Sequence, residues 1–337
     1  MNVTYLLGAG ASAKACPILS DLGKKMMELA TTYLDPPINL FLDKKLINPT
    51  PIHEILHYIG YFGNKAKQYG TIDTYAKKLY LSNDNENELD HLKRSISLFF
   101  TIWESMDSDN NIKADYKKID PRYINLLSSI LERTSKNQPK LKENIKFVTW
   151  NYDLQFERAY KSFCMDHLGW DYVSDNLKFR HINNDFDVCH LNGYSGFYST
   201  EKKEVDLVDR GIENLDAKEI LEELKFVIKS QHRSSLSFDN QISYAWGKND
   251  AAEHIRKSAL GIFRNTDILI VIGYSFPPFN KEIDQILLKE LGGRKTKIYY
   301  QDPKASEEFI SILTEGMDTE IHCIKDRMDQ FFLPYDF

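Results

Sequence analysis

Strand-like and helix-like segments alternate along most of the sequence, and this alternation restricts the fold more than any other feature. Short apolar runs such as IKFVTW and DILIVIGYS are followed by segments with apolar residues at three- and four-residue spacing. Such alternation predicts a parallel sheet covered by helices on both faces, because each crossover between parallel strands carries a helix. The predicted strands cover residues 2–7, 145–150, 186–193, 267–275, 297–302 and 319–324. The first predicted helix begins near Ile18. Later helices are predicted over residues 154–168, 218–230, 251–265, 280–291 and 306–316.

A long helical stretch separates the first predicted strand from the rest of the sheet. Segments between Pro51 and Leu131 repeatedly show helical spacing of apolar residues, and none is convincing as a strand. We therefore predict one α/β domain over residues 1–337, with a Rossmann-like parallel sheet and a helical insertion or subdomain over residues 51–135. Prolines cluster between residues 36 and 51, which predicts a loop there.

Net charge and apolar patterning exclude several classes of partner. The formal net charge of -6 gives no basis for direct nucleic-acid binding, which needs a basic face. The longest apolar run, near Ile268–Gly273, is far too short to span a bilayer. The N-terminal sequence MNVTYLLGAGAS lacks the charged segment of a signal peptide. We therefore expect a cytoplasmic protein that contacts neither membrane nor nucleic acid directly.

A run of small residues follows the first predicted strand. The segment Gly8–Ala13 fits the pattern GxGxxA, directly after NVTYLL and shortly before a predicted helix. Small residues let the backbone turn tightly and approach a pyrophosphate, whose charge then lies among backbone N–H groups. A flexible turn without a ligand is the alternative. No acidic residue follows an obvious second strand about 20 residues later, where a dinucleotide-binding motif has one for the ribose.

Polar residues stand where further predicted strands end. Asn151 and Asp153 follow the strand FVTW, and His190 ends the strand FDVCH. The strand DILIVI ends in Gly273, Tyr274 and Ser275. These residues are predicted to line one crevice with the glycine loop, because parallel strands share one carboxyl edge. The alternatives are that Asp153 caps the next helix, that His190 is structural and that 273–275 form a simple turn. A further segment, Tyr300–Pro303, suits adenosine contacts.

Two patterns bear on metal binding. The four cysteines form no close pair, which argues against a disulfide framework and against a four-cysteine zinc site. The run HEILH, residues 53–57, matches HExxH on a predicted helix, which places two histidines on one face with Glu54 as a base. A third ligand is required, and Glu86 or Glu88 is the candidate. We favour the alternative of an amphipathic helix with solvated His and Glu side chains, and we expect no metal.

The motifs GAGAS, TWNYD, HLNG and GYS occur in the order seen in the sirtuin-like fold. From Asn2 to about Pro303, the chain most resembles the bacterial sirtuin-like NAD hydrolases of anti-phage defence. The resemblance implies that the NAD phosphates lie along Gly8, Ala9, Gly10, Ala11 and Ser12. It matches Asn151 to the family's catalytic Asn. It matches Asp153 and Ser275 to positions that contact the cofactor. Gly273 and Tyr274, in the same GYS segment, complete the set of residues that we expect to contact NAD.

The sequence departs from the family pattern in two places. Protein-deacylating sirtuins carry a zinc module built from two cysteine pairs, and this chain has none. The family places its catalytic His directly before a Gly, whereas Asn192 precedes Gly193 here and His190 lies two residues earlier. Residues two apart in a strand share a face, so His190 is predicted to reach the same crevice.

The resemblance implies cleavage of NAD, as a substrate, into nicotinamide and ADP-ribose, with a cyclic product left open. Asn151 would position the ribose hydroxyls and the attacking water, and His190 would be the general base. An enzyme that depletes NAD must be restrained, so we expect a homo-oligomer or a partner such as a HerA-type ATPase. The alternatives are an NAD-dependent protein deacylase, a zinc peptidase built on HEILH, and a non-catalytic module that senses NAD or ADP-ribose.

Overall fold

A parallel sheet is the central element of the computed structural model. The model describes residues 1–32, 51–82, 86–104, 119–165, 168–179, 185–199, 238–293 and 295–335. The chain divides into two units. The sheet unit comprises residues 1–14, 119–193 and 243–337, and the helical unit comprises residues 15–118 and 194–242.

The strands of the described residues belong to three sheets. They are β1 (Val3–Leu7), β2 (Leu131–Arg133), β3 (Pro139–Leu141), β4 (Ile145–Thr149), β5 (Val188–His190), β6 (Gly193–Ser199), β7 (Phe238–Ile242), β8 (Ile268–Ile272), β9 (Thr296–Gln301) and β10 (Thr319–Ile324). β2 pairs with β3, and β6 pairs with β7, as two-stranded sheets. The remaining six strands form the central sheet.

The α-helices of the described residues lie in both units. The helical unit contains α1 (Leu19–Thr32), α2 (Pro51–Tyr69), α3 (Ile72–Leu81) and α4 (Glu86–Trp103). The sheet unit contains α5 (Pro121–Ile130), α6 (Gln155–Lys161), α7 (Trp170–Leu177), α8 (Asp250–Arg264), α9 (Lys281–Lys289) and α10 (Glu307–Leu313).

The central sheet has the strand order β5-β4-β1-β8-β9-β10, and each neighbouring pair is parallel. Leu7, the last residue of β1, lies between Thr149 of β4 and Ile272 of β8. The three strands therefore end at the same level. The predicted parallel sheet is confirmed, and the central position of β1 brings the segments after β1, β4 and β8 together.

One face of the sheet packs on α8 and α9. Leu6, Val148 and Val271, from three neighbouring strands, share a buried cluster with Phe263 of α8 and Leu287 of α9. Every residue of β1 and β8 is buried, as expected for central parallel strands that are covered on both faces. Each fully buried Leu, Val or Phe side chain contributes about 1.5–3 kcal/mol to stability.

Aromatic side chains cover the opposite face. The ring of Tyr5 stacks on Phe147 at 4.9 Å, and Phe147 contacts Phe156 of α6 at 4.1 Å between ring centroids. Tyr123 of α5 meets Phe156 edge-on. The C-terminal segment returns to this face, where the Tyr5 hydroxyl donates to the carbonyl of Phe332. Helices thus cover both faces, as the sequence predicts.

Two close contacts organise the helical unit. A Cβ added to Gly63 would lie 2.7 Å from the carbonyl oxygen of Gly23, so α1 and α2 touch backbone to backbone. Glu88 of α4 accepts hydrogen bonds on one oxygen from Tyr61 of α2 at 3.0 Å and from Tyr75 of α3 at 2.7 Å. A single carboxylate therefore joins three helices.

Some elements differ from the sequence expectations. The sequence pattern does not indicate α7. It does not indicate β2 or β3 either, because LER and PKL are too short and too polar to show strand alternation. The helix predicted over residues 218–230 lies outside the described residues. The insertion over residues 51–135 stays a prediction: α1 and residues 194–242 join α2–α4 in the helical unit, whereas α5 belongs to the sheet unit.

Candidate functional site

The direction of strand addition reverses at β1. β4 and β5 extend the sheet on one side of β1, and β8, β9 and β10 extend it on the other. Open α/β sheets bind ligands outside the carboxyl ends of the strands at such a reversal. The sequence-predicted site residues lie in the segments that follow β1, β4 and β8 and at the end of β5, so the structure gathers them at this edge. Ser275 is exposed, and Ala9, Gly10 and Gly273 are half-buried.

The glycines of the two loops allow backbone to pack on backbone. A Cβ at Gly8 would lie 2.6 Å from the carbonyl oxygen of Gly273, and a Cβ at Gly10 would lie 2.7 Å from the Cα of Gly273. Gly273 itself has a φ of +58°, and a Cβ there would lie 2.4 Å from the carbonyl carbon of Gly10. Any side chain at these three positions would separate the loops after β1 and β8.

Hydrogen bonds within the protein hold the glycine loop in a short 3-10 turn over Ala9–Ser12. The N–H of Gly8 donates to Ile272 O at 3.0 Å, and the N–H of Gly10 donates to Gly273 O at 2.9 Å. The N–H of Ala11 donates to Gly8 O at 2.9 Å. These N–H groups fix the loop against β8. Phosphate binding along the loop stays a prediction.

A buried ion pair supports the loop from inside the protein. The guanidinium of Arg122, in the first turn of α5, pairs with Asp120 at 2.6 Å. The same guanidinium donates to the carbonyl oxygens of Gly10 at 3.0 Å and Ala11 at 3.2 Å. Asp120 also accepts from the backbone N–H of Lys14 at 3.0 Å. The pair is therefore bonded to neighbouring groups on both sides, which a buried ion pair requires.

Three polar side chains join the loop after β1 to the segment after β4. Ser12 Oγ donates to Asp153 Oδ1 at 2.9 Å and accepts from Asn151 Nδ2 at 3.2 Å. The Tyr123 hydroxyl lies 3.2 Å from the same Ser12 oxygen. Asn151 is 7% exposed and Asp153 is 6% exposed, so both have little contact with bulk water. We call Ser12, Asn151 and Asp153 the polar triplet.

Asp153 lies where a dinucleotide-binding motif has its acidic residue, at the end of the strand beside β1, although it is not found about 20 residues after the glycines. β4 is the neighbour of β1 in the sheet and so takes the place of the second strand of a dinucleotide-binding half. Asp153 follows β4 by four residues, whereas a count of about 20 residues from the glycines falls in α1. Asp153 Oδ1 also accepts from the N–H of Gln155 at 3.2 Å, at the start of α6. The carboxylate therefore contacts the start of α6, although the N-cap position itself is occupied by Leu154.

His190 lies between two hydrogen-bond acceptors. Its Nε2 is 2.8 Å from Glu157 Oε1, and its Nδ1 is 3.3 Å from the carbonyl oxygen of Asn151. The ring is only 3% exposed. Burial alone lowers the pKa of His190, but the neighbouring Glu157 carboxylate and the hydrogen bonds outweigh it and hold that pKa above the ordinary value. Glu157 is not apparent from the sequence, because a charged residue in a helix is usually solvated.

Tyr274 anchors the segment after β8. Its ring is buried and stacks on Trp150 at 5.9 Å. Its hydroxyl donates to Asp284 Oδ2 at 2.7 Å and accepts from Asn280 Nδ2 at 3.1 Å. Burial raises the pKa of the Asp284 carboxyl to about 7, although the hydrogen bond from Tyr274 acts in the opposite direction. Tyr274 thus positions Gly273 and Ser275 through its buried side chain.

Two other candidate segments are occupied by contacts within the sheet unit. Gln301 donates through Nε2 to the carbonyls of Arg327 and Gln330, and its Oε1 accepts from the N–H of Phe332 at 2.9 Å. This amide therefore anchors the C-terminal segment, which does not favour adenosine contacts. Asn192 accepts from the N–H of Ser243 through its carbonyl and from Ala245 through its side chain.

The HEILH run lies in α2, as predicted. The expectation of solvated histidines is wrong for His57, which is buried and whose ring stacks on Tyr61 at 6.4 Å between centroids. Glu88, one of the two candidate third ligands, is the carboxylate that accepts from Tyr61 and Tyr75. The side chain of Glu86, the other candidate, lies outside the described residues. These contacts favour a packed helix over a metal centre.

Comparisons with known proteins leave the family assignment as a prediction from the motifs. No protein-family model matches the chain, and a search of curated proteins finds no relative. In the described ranges, none of the helices combines the length and the apolar character needed to cross a bilayer.

Proposed function

We propose that the chain binds NAD at the carboxyl ends of β1, β4 and β8 and hydrolyses its nicotinamide–ribose bond. The observation that carries the proposal is the polar triplet at the reversal of strand order. The order β5-β4-β1-β8-β9-β10 is also that of dinucleotide-binding domains built from two mononucleotide-binding halves. A nearly buried amide beside a carboxylate suits the hydroxyls of a ribose.

The polar triplet suggests how the bond would break. Nicotinamide leaves as a neutral pyridine, so its departure needs no general acid, and the transition state resembles an oxocarbenium ion. Asn151 Nδ2 donates to Ser12, which leaves Oδ1 of the same amide to accept from a ribose hydroxyl or from the attacking water. Asp153 would supply a carboxylate beside the developing positive charge and would take the proton that the attacking water loses. Such preorganised groups are worth most in a site with little water.

The proposal includes a biological role, in which the hydrolysis serves anti-phage defence by depleting NAD. In this role the hydrolase is restrained in a homo-oligomer or by a partner such as a HerA-type ATPase. The resemblance of the GAGAS, TWNYD and GYS motifs to defence proteins is the support for this part.

The test is NAD loss and nicotinamide release by the purified chain, alone and with an ATPase encoded beside it. We expect Asn151→Ala to abolish turnover, because it removes the group that orients ribose and water. Asn125→Ala is the matched control, since Asn125 is exposed on α5. Turnover that survives in Asn151→Ala would contradict the proposal.

A second candidate function is a non-catalytic sensor of NAD or ADP-ribose. The observation that favours it is His190, whose two ring nitrogens both face acceptors of the protein itself. Calorimetric titration with NAD and with ADP-ribose would separate the two functions. Tight binding without nicotinamide release, both alone and with the ATPase, would support the sensor.

A further inference from the structure

We infer that Glu157 is a positioning residue that, together with His190, forms a charged clamp on the main chain of Asn151. The inference deepens the proposed NAD hydrolysis and rests on it. Glu157 lies in the first turn of α6 and is fully buried. His190 connects the Glu157 carboxylate, at 2.8 Å, to the Asn151 carbonyl oxygen, at 3.3 Å.

The clamp completes the fixation of Asn151. The N–H of Asn151 donates to Thr149 Oγ1 at 3.0 Å, and its side-chain Nδ2 donates to Ser12. With His190 on the carbonyl oxygen, the residue is held at three separate atoms. The direction of the remaining side-chain atom, Oδ1, is therefore set by the protein before any ligand arrives. Preorganisation of this kind is what a group that orients a reacting water needs.

The protonation state of His190 decides whether the clamp is closed. Both ring nitrogens face acceptors, and only the imidazolium form has two N–H groups to donate. A neutral imidazole keeps one of the two hydrogen bonds and loses the other. Negative charges that act on the ring include those of Glu157 of α6 and of Asp153 after β4. The apolar ring of Phe179 contacts it edge-on. The clamp therefore requires the charged ring, and a ring that donates from both nitrogens does not suit a general base.

Glu157 in turn depends on His190. Its second oxygen, Oε2, has no hydrogen-bond partner among the residues that the structure describes. His190 therefore supplies the hydrogen bond that a buried carboxylate requires. Removing one member of a buried charged pair leaves the other uncompensated, so the two side chains act together.

The first test is a titration of His190 by NMR, with histidine-selective labelling of the full chain. We expect Glu157→Gln to lower the pKa of His190, because the negative charge is lost while burial remains. Glu253→Gln is the matched control, since Glu253 lies in the first turn of α8 but is exposed. An unchanged His190 titration in Glu157→Gln would overturn the clamp. This measurement needs no turnover, so it stays decisive even if NAD hydrolysis is disproved.

The second test is the pH profile of kcat in the unmodified chain. It uses the wild type alone, so it does not depend on whether a variant folds. The clamp predicts that kcat falls as pH rises through the pKa of His190, because the neutral ring releases one contact. A general base predicts the opposite slope, and a rise of kcat through that pKa would overturn the clamp.

Glu157→Gln sharpens this profile. We expect kcat to fall by about 10²-fold with little change in KM. The reason is that Asn151, when it is no longer held at its carbonyl oxygen, shifts away from the position in which it orients the reacting water. The decline of kcat should also move to lower pH, in step with the lowered pKa of His190. Equal kcat values for Glu157→Gln and Glu253→Gln would refute the positioning role.

Discussion

The two strands that flank β1 end in different ways. After β4, polar side chains contact the glycine loop: Asn151 and Asp153 both bond to Ser12. After β8, the contact with the same loop is made by bare backbone, because Gly8 and Gly10 lie against Gly273. The polar side chain nearest to it, Tyr274, is directed into the core.

This difference predicts that the β4 side determines the chemistry of the site and that the β8 side determines the shape of the backbone. The β4 side presents groups that donate, accept and carry charge, so substitutions there should change reaction and affinity. The β8 side has no room for side chains, so substitutions there should change the fold first. Three predictions test this division, in order of expected size.

The largest effect is expected on the β8 side. Gly273→Ala should destabilise the fold by at least about 3 kcal/mol, because the new Cβ clashes with backbone and the residue has a positive φ. Chemical denaturation measures the change. Gly261→Ala is the control: nothing lies within 4 Å of a Cβ there, and alanine in α8 should stabilise by about 0.5–1 kcal/mol. Similar stability for Gly273→Ala and the wild type would remove the steric argument.

A pH-dependent effect is expected behind the β8 segment. The pKa of Asp284 is raised from 3.8 to about 7 by burial, so the unfolded chain releases this proton at lower pH than the folded protein. Folding stability should therefore fall as pH rises between these values. Asp284→Asn keeps an acceptor for Tyr274 without the charge, and should gain about 2–3 kcal/mol over the wild type at pH 8 but little at pH 4.

The control for this pH dependence is Asp250→Asn, because Asp250 also lies in the first turn of a helix but is exposed. Its stability difference from the wild type should stay nearly constant over the same range. A constant difference for Asp284→Asn as well would show that folding does not change the pKa of this carboxyl.

The smallest effect on stability is expected on the β4 side. Ser12→Ala removes the hydroxyl that joins Asn151 to Asp153, and should cost about 1–2 kcal/mol. Ser128→Ala, at an exposed position of α5, controls for loss of a serine. NAD affinity should fall much more in Ser12→Ala than in Gly261→Ala. An equal affinity in both variants would mean that the polar triplet does not face the ligand.

Much of the sheet could be predicted because its central strands are largely apolar. β1 and β8 are buried at every position, and that burial appears in the sequence as the mostly apolar run VTYLL and the wholly apolar run ILIVI. Elements with few buried side chains give no such pattern. β2 has no fully buried residue, so its short hairpin with β3 shows no alternation of apolar and polar residues that could be recognised in the sequence.

The site was predictable in its members and less so in their roles. Strand ends in a parallel sheet meet, so Asn151, Asp153 and the glycine loop could be grouped from the sequence. The neighbour of β1 could not be identified by counting, because a long stretch of chain separates β1 from β4. Glu157 could not be paired with His190 either, since only the packing of α6 on the sheet brings the two side chains together.

The central position of β1 also has a consequence for biosynthesis. β1 is made first, yet its partner β8 lies 265 residues later in the chain, as the bond between Asn2 and Asp267 illustrates. At about 5–20 residues per second, the ribosome needs roughly ten to fifty seconds to supply that partner. During this time a strand that is fully buried in the folded protein has one edge without its neighbour. We therefore expect the nascent chain to need chaperones, and its yield to depend on the speed of translation.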